Sequence, residues 1–410
     1  MSSAAIVKVQ ELCKKLMKKL QQKSCCSLYS KSFMQRNKHK IIRAVTVSQS
    51  LGFCREAMME MRERGYEMVA VCSPGEELER LKEEGFHCVA VPMERRMAPL
   101  KDVKSLWRLI SVFRQERPQM VHSMTPKAGL LCMLAAWITR VPRRVHTFTG
   151  LVWPTATGLQ RRILMLTDWL TCACATHIIP EGKGVMHDLQ QITHKPMRVL
   201  GYGNVRGVDM NYWCREQVDA KLVETLRADE AFTFVYVGRI VHDKGIDELV
   251  EAFMKVRQAH KARLVLVGRR EDNLDPISAK TLKLMEGCTD IVSVGPKHGK
   301  ELLAYYAAAD CFVLPSYREG FPNTVLEAGA MGLPSIVTDI NGSREIIENG
   351  KNGLIVQPRD AKILAEAMTR LITDNHMREL MMANARPMIE SRFEKGFVMR
   401  CMLDFYKEIL

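Results

Sequence analysis

From Lys40 onward, short apolar runs alternate with stretches of helical periodicity, and this alternation constrains the fold more than any other feature of the sequence. Such alternation predicts repeated βαβ units around a parallel sheet. The apolar runs form two sets and predict strands at Ile41–Val47, Met68–Val71, Cys88–Val91, Met120–Val121, Arg144–Phe148, His177–Ile179 and Arg198–Leu200, then at Phe232–Val237, Arg263–Val267, Ile291–Val294, Cys311–Leu314, Ser335–Val337 and Leu354–Val356. The patterns between them predict helices at Cys54–Arg64, Asp102–Glu116, Gly129–Thr139, Asp247–His260, Lys300–Ala309, Pro322–Met331 and Ala361–Thr373. We therefore expect an α/β protein with two doubly wound domains.

The predicted domains meet at a glycine cluster, Gly201–Gly207, where the alternation pauses. The cluster has the spacing G-x-G-x-x-x-G, and the residues after it do not begin an apolar helix, so we interpret it as a linker rather than a dinucleotide-binding loop. The expected domains are residues 40–203 and 204–391. A last helical pattern, within residues 392–410, is expected to pack back on the N-terminal domain.

The net charge of +14 is concentrated at one end of the chain. Residues 1–40 hold ten Lys or Arg and one acid, so the remaining residues are only mildly basic. That balance fits phosphate-bearing substrates or an anionic membrane surface. Aromatic and basic residues do not interleave as in single-strand binders, so we expect no nucleic-acid partner. The thirteen cysteines, mostly within apolar runs, predict buried thiols in a cytosolic protein.

The basic N-terminal extension, residues 1–39, has two interpretations. Apolar residues recur there at helical spacing with lysines between them, which is typical of an amphipathic helix on a membrane surface. Alternatively, Met34 is the natural start, and residues 1–33 are an artefact or an extension without structure. No apolar run in the chain approaches the roughly 18 residues of a spanning helix.

The most chemically informative stretch is Arg318–Glu327, which joins the apolar run Cys311–Leu314 to a helix expected to begin at Pro322. The backbone N–H groups of a first helical turn have no partner within the helix, so this loop predicts an anion site beside Glu319. Open α/β sheets bind ligands at the carboxyl ends of their strands, which is where the loop lies.

Two cations follow the first strand of the second domain, in Val237-Gly238-Arg239 and Asp243-Lys244-Gly245. A guanidinium can bind two phosphate oxygens, and an ammonium adds a compact positive charge, so the pair suits a diphosphate. A solvated polar loop is the alternative explanation.

Together, these residues resemble the donor site of retaining glycosyltransferases of family 4. Val237-Gly238-Arg239 with Lys244-Gly245, and Glu319-Gly320-Phe321-Pro322-Asn323 with Glu327, agree with that family in type and order. The resemblance runs from about Lys40 to the C-terminus. It implies the GT-B fold, in which two Rossmann-like domains face a cleft. Val121–Gly129 and Thr149-Gly150-Leu151 are most similar to bacterial enzymes of surface-polysaccharide and glycolipid assembly.

The resemblance also implies a role for each donor-site residue. Arg239 and Lys244 would hold the donor diphosphate and stabilise the leaving group, since preplaced cations lower the cost of developing negative charge. Glu319 would bind hydroxyls of the donor sugar, and Glu327 those of the ribose. The remaining donor-side residues are Gly238, Gly320 and the positions with backbone N–H groups, Phe321, Asn323 and Thr324. The family needs no protein nucleophile.

We expect neither a cofactor nor a metal. Glycosyltransferases that use a divalent ion generally have an Asp-x-Asp pair, and no two aspartates of this chain are two residues apart. The two cations would supply the charge that a metal ion otherwise brings.

The first domain is expected to bind the acceptor. Its candidates are Gly52, in the loop Ser48–Phe53, then His122, Lys127 and Thr149. Thr149 is a departure from the family, because many relatives have a histidine there. His146 lies within the expected strand and faces elsewhere.

Membrane contact is expected from Arg95-Arg96-Met97 together with Trp107, Trp153 or Arg161-Arg162, although a solvated charge run is the alternative.

The sequence thus predicts a glycosyltransferase that moves a sugar from a nucleotide-diphosphate donor, expected to be UDP-linked, onto a polyprenyl-diphosphate-linked acceptor. It would act in the cytoplasm, peripherally on the inner face of the plasma membrane. One alternative is a sugar-nucleotide 2-epimerase of the same fold, and another is a nucleotide-sugar-binding scaffold without turnover, which Thr149 keeps open.

Overall fold

The structure is a computed structural model that describes residues 40–227, 230–273 and 275–410. The expected N-terminal amphipathic helix lies outside the described residues. Two parallel six-stranded sheets form the framework, which confirms the predicted α/β fold with two Rossmann-like domains. Because successive parallel strands need crossovers, helices cover the sheets.

The first sheet has the order β3-β2-β1-β4-β5-β6, and all of its strands are parallel. Its strands are β1 Lys40–Ala44, β2 Glu67–Cys72, β3 His87–Ala90, β4 Met120–Met124, β5 Arg143–Phe148 and β6 His177–Pro180. The second sheet has the order β12-β11-β10-β7-β8-β9. Its strands are β7 Phe232–Val237, β8 Ala262–Val267, β9 Ile291–Gly295, β10 Cys311–Leu314, β11 Ser335–Thr338 and β12 Gly353–Val356.

The described helices are α1 Arg55–Glu63, α2 Glu76–Glu83, α3 Pro99–Glu116, α4 Pro126–Ile138, α5 Gly158–Cys174, α6 Lys183–Leu189, α7 Ala220–Leu226, α8 Ile246–Val256, α9 Ala279–Gly287, α10 Gly299–Ala308, α11 Asn323–Ala330, α12 Ser343–Ile346, α13 Ala361–Thr373, α14 Asn375–Phe393 and α15 Lys395–Ile409. Short 3₁₀ turns cover Ser48–Phe53, Arg215–Gln217 and His242–Lys244. Within the part of the chain that the structure describes, no helix has both the length and the apolar character required to cross a bilayer.

The strand order locates the ligand-binding edge of each sheet. In the second sheet β7 and β10 are neighbours although they are distant in sequence, and the chain winds outward from them in both directions. The loops after such a pair diverge and leave a crevice at the carboxyl ends of the strands. β1 and β4 form the same arrangement in the first sheet. The loops that carry Lys244 and Glu319 therefore follow two adjacent strands.

Helix α15 packs against the first sheet, in the N-terminal domain, whereas the preceding helix α14 packs in the C-terminal domain. Its residues Met402, Leu403, Phe405, Tyr406 and Ile409 are buried in one cluster with residues of β1 and α1. The Tyr406 hydroxyl accepts a hydrogen bond from the buried Arg43 guanidinium at 2.5 Å. The end of the chain thus connects the two domains.

One predicted strand is wrong. Arg198–Leu200 is not a strand, and the neighbouring Met197 forms only an isolated bridge with Ile178 of β6. The chain turns away directly afterwards at Gly201, whose φ of 56° lies in the left-handed region. A run this short cannot extend the ladder before it turns.

Some helix predictions also differ. The sequence analysis did not predict α2 or α14, and the helix expected from Pro322 begins at Asn323, with Pro322 directly before it. α14 contains Pro387 and has a weak apolar stripe, so its periodicity was a poor signal.

Candidate functional site

The C-terminal wall of the cleft is built on the loop between β10 and α11. We use the name C-terminal wall for Arg239, Lys244 and Glu319–Asn323. The Glu319 carboxylate lies 2.5 Å from the Lys244 ammonium, and each side chain is 15% exposed. The Ser316 hydroxyl donates a second hydrogen bond to the same carboxylate oxygen at 2.8 Å. The structure therefore brings together two residues that are 75 positions apart in sequence.

Gly245 explains how Lys244 reaches Glu319. The 3₁₀ turn His242–Lys244 ends at Gly245, which has a φ of 69°, a conformation that side chains disfavour. A Cβ atom at Gly245 would lie 2.1 Å from the carbonyl oxygen of Pro315, at the end of β10. The absent side chain lets the turn after β7 pack directly on the chain after β10.

Arg239 lies at the same edge, and its charge is also neutralised. Its guanidinium is 3.0 Å from the Glu271 carboxylate, and the Arg239 side chain is 46% exposed. The Tyr236 hydroxyl donates to the carbonyl of Arg239 at 2.6 Å. A Cβ atom at Gly238 would lie 2.7 Å from that hydroxyl, so this position must be small. Both cations of the C-terminal wall are thus paired with carboxylates.

Glu327 lies one turn into α11. Together with Arg206, His298 and Asn323 it lines a cavity of about 510 Å³. The Tyr306 hydroxyl donates to its carboxylate at 3.2 Å. Burial raises the pKa of Glu327 to about 7, against the opposing effects of the Arg206 charge and the Tyr306 hydrogen bond. Thr324 is half-buried, and its carbonyl accepts a hydrogen bond from Tyr306 at 3.4 Å.

The two domains touch at the end of β5. A Cβ atom at Gly320 would lie 2.0 Å from the carbonyl oxygen of Thr149 and 3.0 Å from Cα of Gly150. Gly150 has a φ of 126° and would itself meet Gly320 at 3.0 Å if it carried a side chain. The backbones of both loops approach so closely that each needs glycine.

Beside this contact lies a cavity of about 230 Å³ that we call the reaction-centre cavity. It is lined by Val45, Ser50, Phe53, Met124, Thr125, Thr149, Glu181, Val205, Arg206, Glu319, Gly320, Phe321 and Asn323. Thr149, Glu319, Gly320, Phe321 and Asn323, all selected from the sequence, therefore line one cavity. The residues from the first domain form its N-terminal wall.

The reaction-centre cavity also contains Glu181 and Arg206, which the sequence analysis missed. Glu181 follows β6 and is only 5% exposed. Burial, together with the nearby carboxylates of Glu345 and Glu319, raises its pKa to about 8. Arg206 lines both cavities, lies 5.7 Å above the Phe53 ring and has no ion pair within the described residues. It falls within the glycine cluster, and Glu181 belongs to no motif, so neither gave a signal.

Of the four acceptor-side candidates, Gly52, His122 and Lys127 do not line the reaction-centre cavity. His122 is fully buried, and its ring contacts Arg43, Tyr406 and Thr147. Burial and the adjacent Arg43 charge hold the pKa of His122 well below its usual value. The Lys127 ammonium lies 2.7 Å from the Asp102 carboxylate. These contacts give both residues a role in packing the first domain.

Gly52 and Trp153 also differ from expectation. Gly52 is exposed beside Phe53, with open space where a Cβ atom would lie, so nothing there requires a glycine. Trp153, expected at a membrane surface, is 1% exposed and belongs to the core. His146 faces the interior, as expected, and its ring lies 2.8 Å from the Ser123 hydroxyl.

Both domains match known sequence families. Residues 53–203 match the family described as "Glycosyl transferase 4-like domain", and residues 231–374 match "Glycosyl transferases group 1". The chain is 33% identical to the capsular polysaccharide biosynthesis glycosyltransferase CapM of Staphylococcus aureus, over 90% of this chain and 97% of that protein.

A more distant relative is the UDP-Gal:alpha-D-GlcNAc-diphosphoundecaprenol alpha-1,3-galactosyltransferase of Escherichia coli. It is 26% identical over 80% of this chain and 85% of its own length. Among solved structures, Anabaena HepE in complex with UDP and glucose superposes with a TM-score of 0.74 at 16% identity, over 90% of this chain and 100% of that one. That superposition concerns the fold.

Proposed function

We propose a reaction for this chain, which belongs to the GT-B glycosyltransferase family. In this reaction the protein transfers a sugar from a nucleotide-diphosphate sugar to a lipid-diphosphate-linked glycan. The observation that carries the proposal is the Lys244–Glu319 pair at the edge of a cavity that Thr149 of the other domain closes. A diphosphate needs the cation, and a sugar needs the carboxylate, at neighbouring positions.

The donor would replace the ion pairs that the C-terminal wall forms without a ligand. A diphosphate beside Arg239 and Lys244 competes with Glu271 and Glu319 for their charges. Once Lys244 binds phosphate, Glu319 is available to accept hydrogen bonds from hydroxyls of the donor sugar. Ser316 continues to orient that carboxylate through its hydroxyl. Glu327, in the adjoining cavity, would bind the ribose.

The transfer itself would retain the anomeric configuration. The bond between the anomeric carbon and the phosphate oxygen breaks, and a bond from the acceptor hydroxyl oxygen forms on the same face of the sugar. The proton of that hydroxyl passes to the departing phosphate. Arg239 and Lys244 stabilise the negative charge that grows on the diphosphate, so the transfer requires neither a metal ion nor a protein nucleophile.

UDP is the proposed nucleotide, and a polyprenyl-diphosphate-linked sugar the proposed acceptor. The name of the Escherichia coli relative includes both UDP-Gal and a diphosphoundecaprenol-linked sugar, and the Staphylococcus aureus relative is named for capsular polysaccharide. These names support a role in the assembly of a surface polysaccharide. The proposed location, the cytoplasmic side of the plasma membrane, is where a lipid-linked acceptor would meet a nucleotide sugar.

An exposed apolar and basic surface on the first domain supports the same acceptor class. Leu100 is 89% exposed, Trp107 66%, Met97 58% and Val103 54%, and all four lie on or beside α3. Leu100, Val103 and Trp107 are three or four residues apart and share one helix face. Arg95, Arg96, Lys104 and Arg108 add positive charge around them. Exposed apolar residues within a basic surface suit an anionic lipid headgroup region.

A transfer assay tests the proposal. The protein is incubated with several nucleotide sugars and a polyprenyl-diphosphate sugar in the presence of EDTA, and we expect a glycolipid product. Donor turnover without acceptor would instead indicate the 2-epimerase. Tight nucleotide binding with neither reaction would indicate a binding scaffold, the alternative that Thr149 leaves open.

A further inference from the structure

Glu181 is a buried carboxyl group that lines the reaction-centre cavity and that the proposed reaction does not yet use. It stands between β6 and α6, opposite the loop that carries Glu319. Its side chain forms no hydrogen bond or ion pair with any residue in the described ranges, although Glu181 is only 5% exposed to solvent. A buried polar group without a partner is costly, so a native protein that keeps one at a cavity wall has a reason to do so.

The backbone of Glu181 is held from two sides. Its N–H donates to the carbonyl of Phe148, at the end of β5, at 3.0 Å, and its carbonyl accepts from the N–H of Asn204 at 2.8 Å. A Cβ atom at Gly203 would lie 2.6 Å from the same carbonyl oxygen, so the linker packs directly on it. The side chain therefore starts from a rigid position next to Thr149.

The other carboxylates near Glu181 already have partners. Glu345 accepts hydrogen bonds from the backbone N–H groups of Lys183 and Gly184, at 2.6 and 3.0 Å. Glu319 is bound to Lys244 and Ser316. Of these three carboxyl groups, only that of Glu181 has its hydrogen-bonding capacity free for a ligand in the cavity.

We propose that the Glu181 carboxyl binds a hydroxyl of the acceptor sugar in the reaction-centre cavity and positions that sugar for attack on the donor. The inference rests on the proposed function and adds a residue to its acceptor site. The acceptor sugar is the ligand because Glu181 belongs to the N-terminal wall, whereas the donor groups lie on the opposite wall. Glu181 takes no part in proton transfer to the leaving phosphate.

The electrostatic surroundings favour the neutral acid. Burial raises the pKa of Glu181 to about 8, and the charges of Glu345 and Glu319 act in the same direction. Arg206 lines the same cavity, and its guanidinium forms no ion pair within the described residues. Lys244 faces it only from behind Glu319. Below pH 8 the protonated acid can donate to a hydroxyl oxygen and accept from a hydroxyl proton.

Steady-state kinetics of two variants test the inference, with the UDP-sugar and polyprenyl-diphosphate sugar that react in the transfer assay. Glu181→Ala removes the hydrogen-bonding group, and we expect kcat/KM for the acceptor to fall about 10- to 100-fold, with a raised acceptor KM and a donor KM within about twofold of the wild type. Glu181→Gln keeps a neutral group of the same shape, so we expect most of the activity to return at pH 7.

The pH profile provides a second readout, which a merely structural role would not change. As pH rises through about 8, the wild type ionises Glu181 beside Glu319 and loses its hydrogen-bond donor, so acceptor kcat/KM should fall. Glu181→Gln has no such titration and should lack that alkaline loss. Asp168→Asn is the matched control, because burial also raises the pKa of Asp168, to about 7, and Asp168 does not line the cavity.

Three outcomes would overturn the inference: unchanged acceptor kinetics in Glu181→Ala, a loss expressed in the donor KM instead, or an equal alkaline loss in Glu181→Gln. The shift in melting temperature that UDP alone produces checks each variant, and it should match the wild type if the variant is folded and binds donor. If the wild type transfers no sugar to any acceptor, the proposed function fails. If the wild type transfers normally and the variants do so too, only the role of Glu181 fails.

Discussion

The two walls of the cleft differ in how their polar groups are neutralised. On the C-terminal wall, Lys244 and Arg239 are each paired with a carboxylate, at 2.5 and 3.0 Å. On the N-terminal wall, Glu181 is buried without a partner in the described structure. The first arrangement exchanges one anion for another when a diphosphate arrives, whereas the second leaves a hydrogen-bonding group that only a ligand can satisfy.

The histidines of the first domain reinforce this contrast. Burial lowers the pKa of His146 to about 3, and that of His122 lies well below its usual value, so both rings are neutral at physiological pH. Among the described residues that line the reaction-centre cavity there is no histidine, and Thr149 occupies the position directly after β5. The difference teaches that the C-terminal wall carries paired charges, whereas the N-terminal wall presents an unpaired hydrogen-bonding group.

The largest expected effect comes from removing a positive charge from the C-terminal wall. Lys244→Ala leaves Glu319 without its partner and the diphosphate without a cation, and we expect kcat to fall by about 10²- to 10³-fold. The protein should remain folded, as circular dichroism would show. Lys255→Ala serves as the control, because it removes an exposed lysine that forms a salt bridge with Glu251, one turn away. Equal turnover in Lys244→Ala and the wild type would contradict the assigned role.

The next effect tests the contact between the walls. Gly320→Ala places a methyl group where the Thr149 carbonyl lies, at 2.0 Å, so the domains cannot approach as closely. We expect a loss in kcat of about 10- to 100-fold and a more open particle by small-angle scattering. Gly287→Ala provides the comparison, since open space surrounds its Cβ position. An unchanged kcat for Gly320→Ala would mean that this close contact is not needed for transfer.

A smaller effect is expected at the outer face of the first domain. The double variant Leu100→Ser and Trp107→Ser should bind phosphatidylglycerol-containing vesicles about tenfold more weakly in a sedimentation assay, because both side chains are largely exposed and apolar. Leu380→Ser, at a 51% exposed position on α14 of the other domain, should bind like the wild type. Added salt should weaken wild-type binding if the surrounding arginines contribute. Equal binding by the double variant would remove this surface from the proposal.

The smallest effect sharpens the contrast through stability. The pKa of Glu181 in the folded protein, about 8, lies above the ordinary glutamate value of 4.5. The folded state therefore holds a proton that the unfolded state releases, and wild-type stability falls as pH rises between these values. Glu181→Gln should raise the melting temperature by a few degrees at pH 8 and by less at pH 5. A gain of equal size at both pH values would show that Glu181 is not protonated by burial.

Local patterns were sufficient for much of the framework. The strands Phe232–Val237 and Cys311–Leu314 and the helix Ala361–Thr373 have the predicted bounds, because continuous apolar runs and clear helical periodicity mark them. The α/β class and the GT-B glycosyltransferase family are confirmed. Arg198–Leu200 was wrong because a strand also needs a neighbour along its length, which a local pattern does not report.

The candidate site was predicted unevenly. The motifs around Arg239, Lys244, Glu319 and Glu327 are short and contiguous, and the strand order then places them at one sheet edge. Glu181 lies in no motif, and its significance depends on burial by residues from both domains. The assigned roles of all these residues remain predictions that the experiments above address.

By itself, the sequence determined the parallel α/β framework, the two domains and the residue types of the C-terminal wall, since those features follow from periodicity and from contiguous motifs. Only the tertiary structure decided that Lys244 and Glu319 form an ion pair, that Gly320 meets Thr149, and that His122 is enclosed while Glu181 faces a cavity. The reason is physical: pairing, burial and close approach are properties of residues that are distant in the chain and become neighbours only on folding.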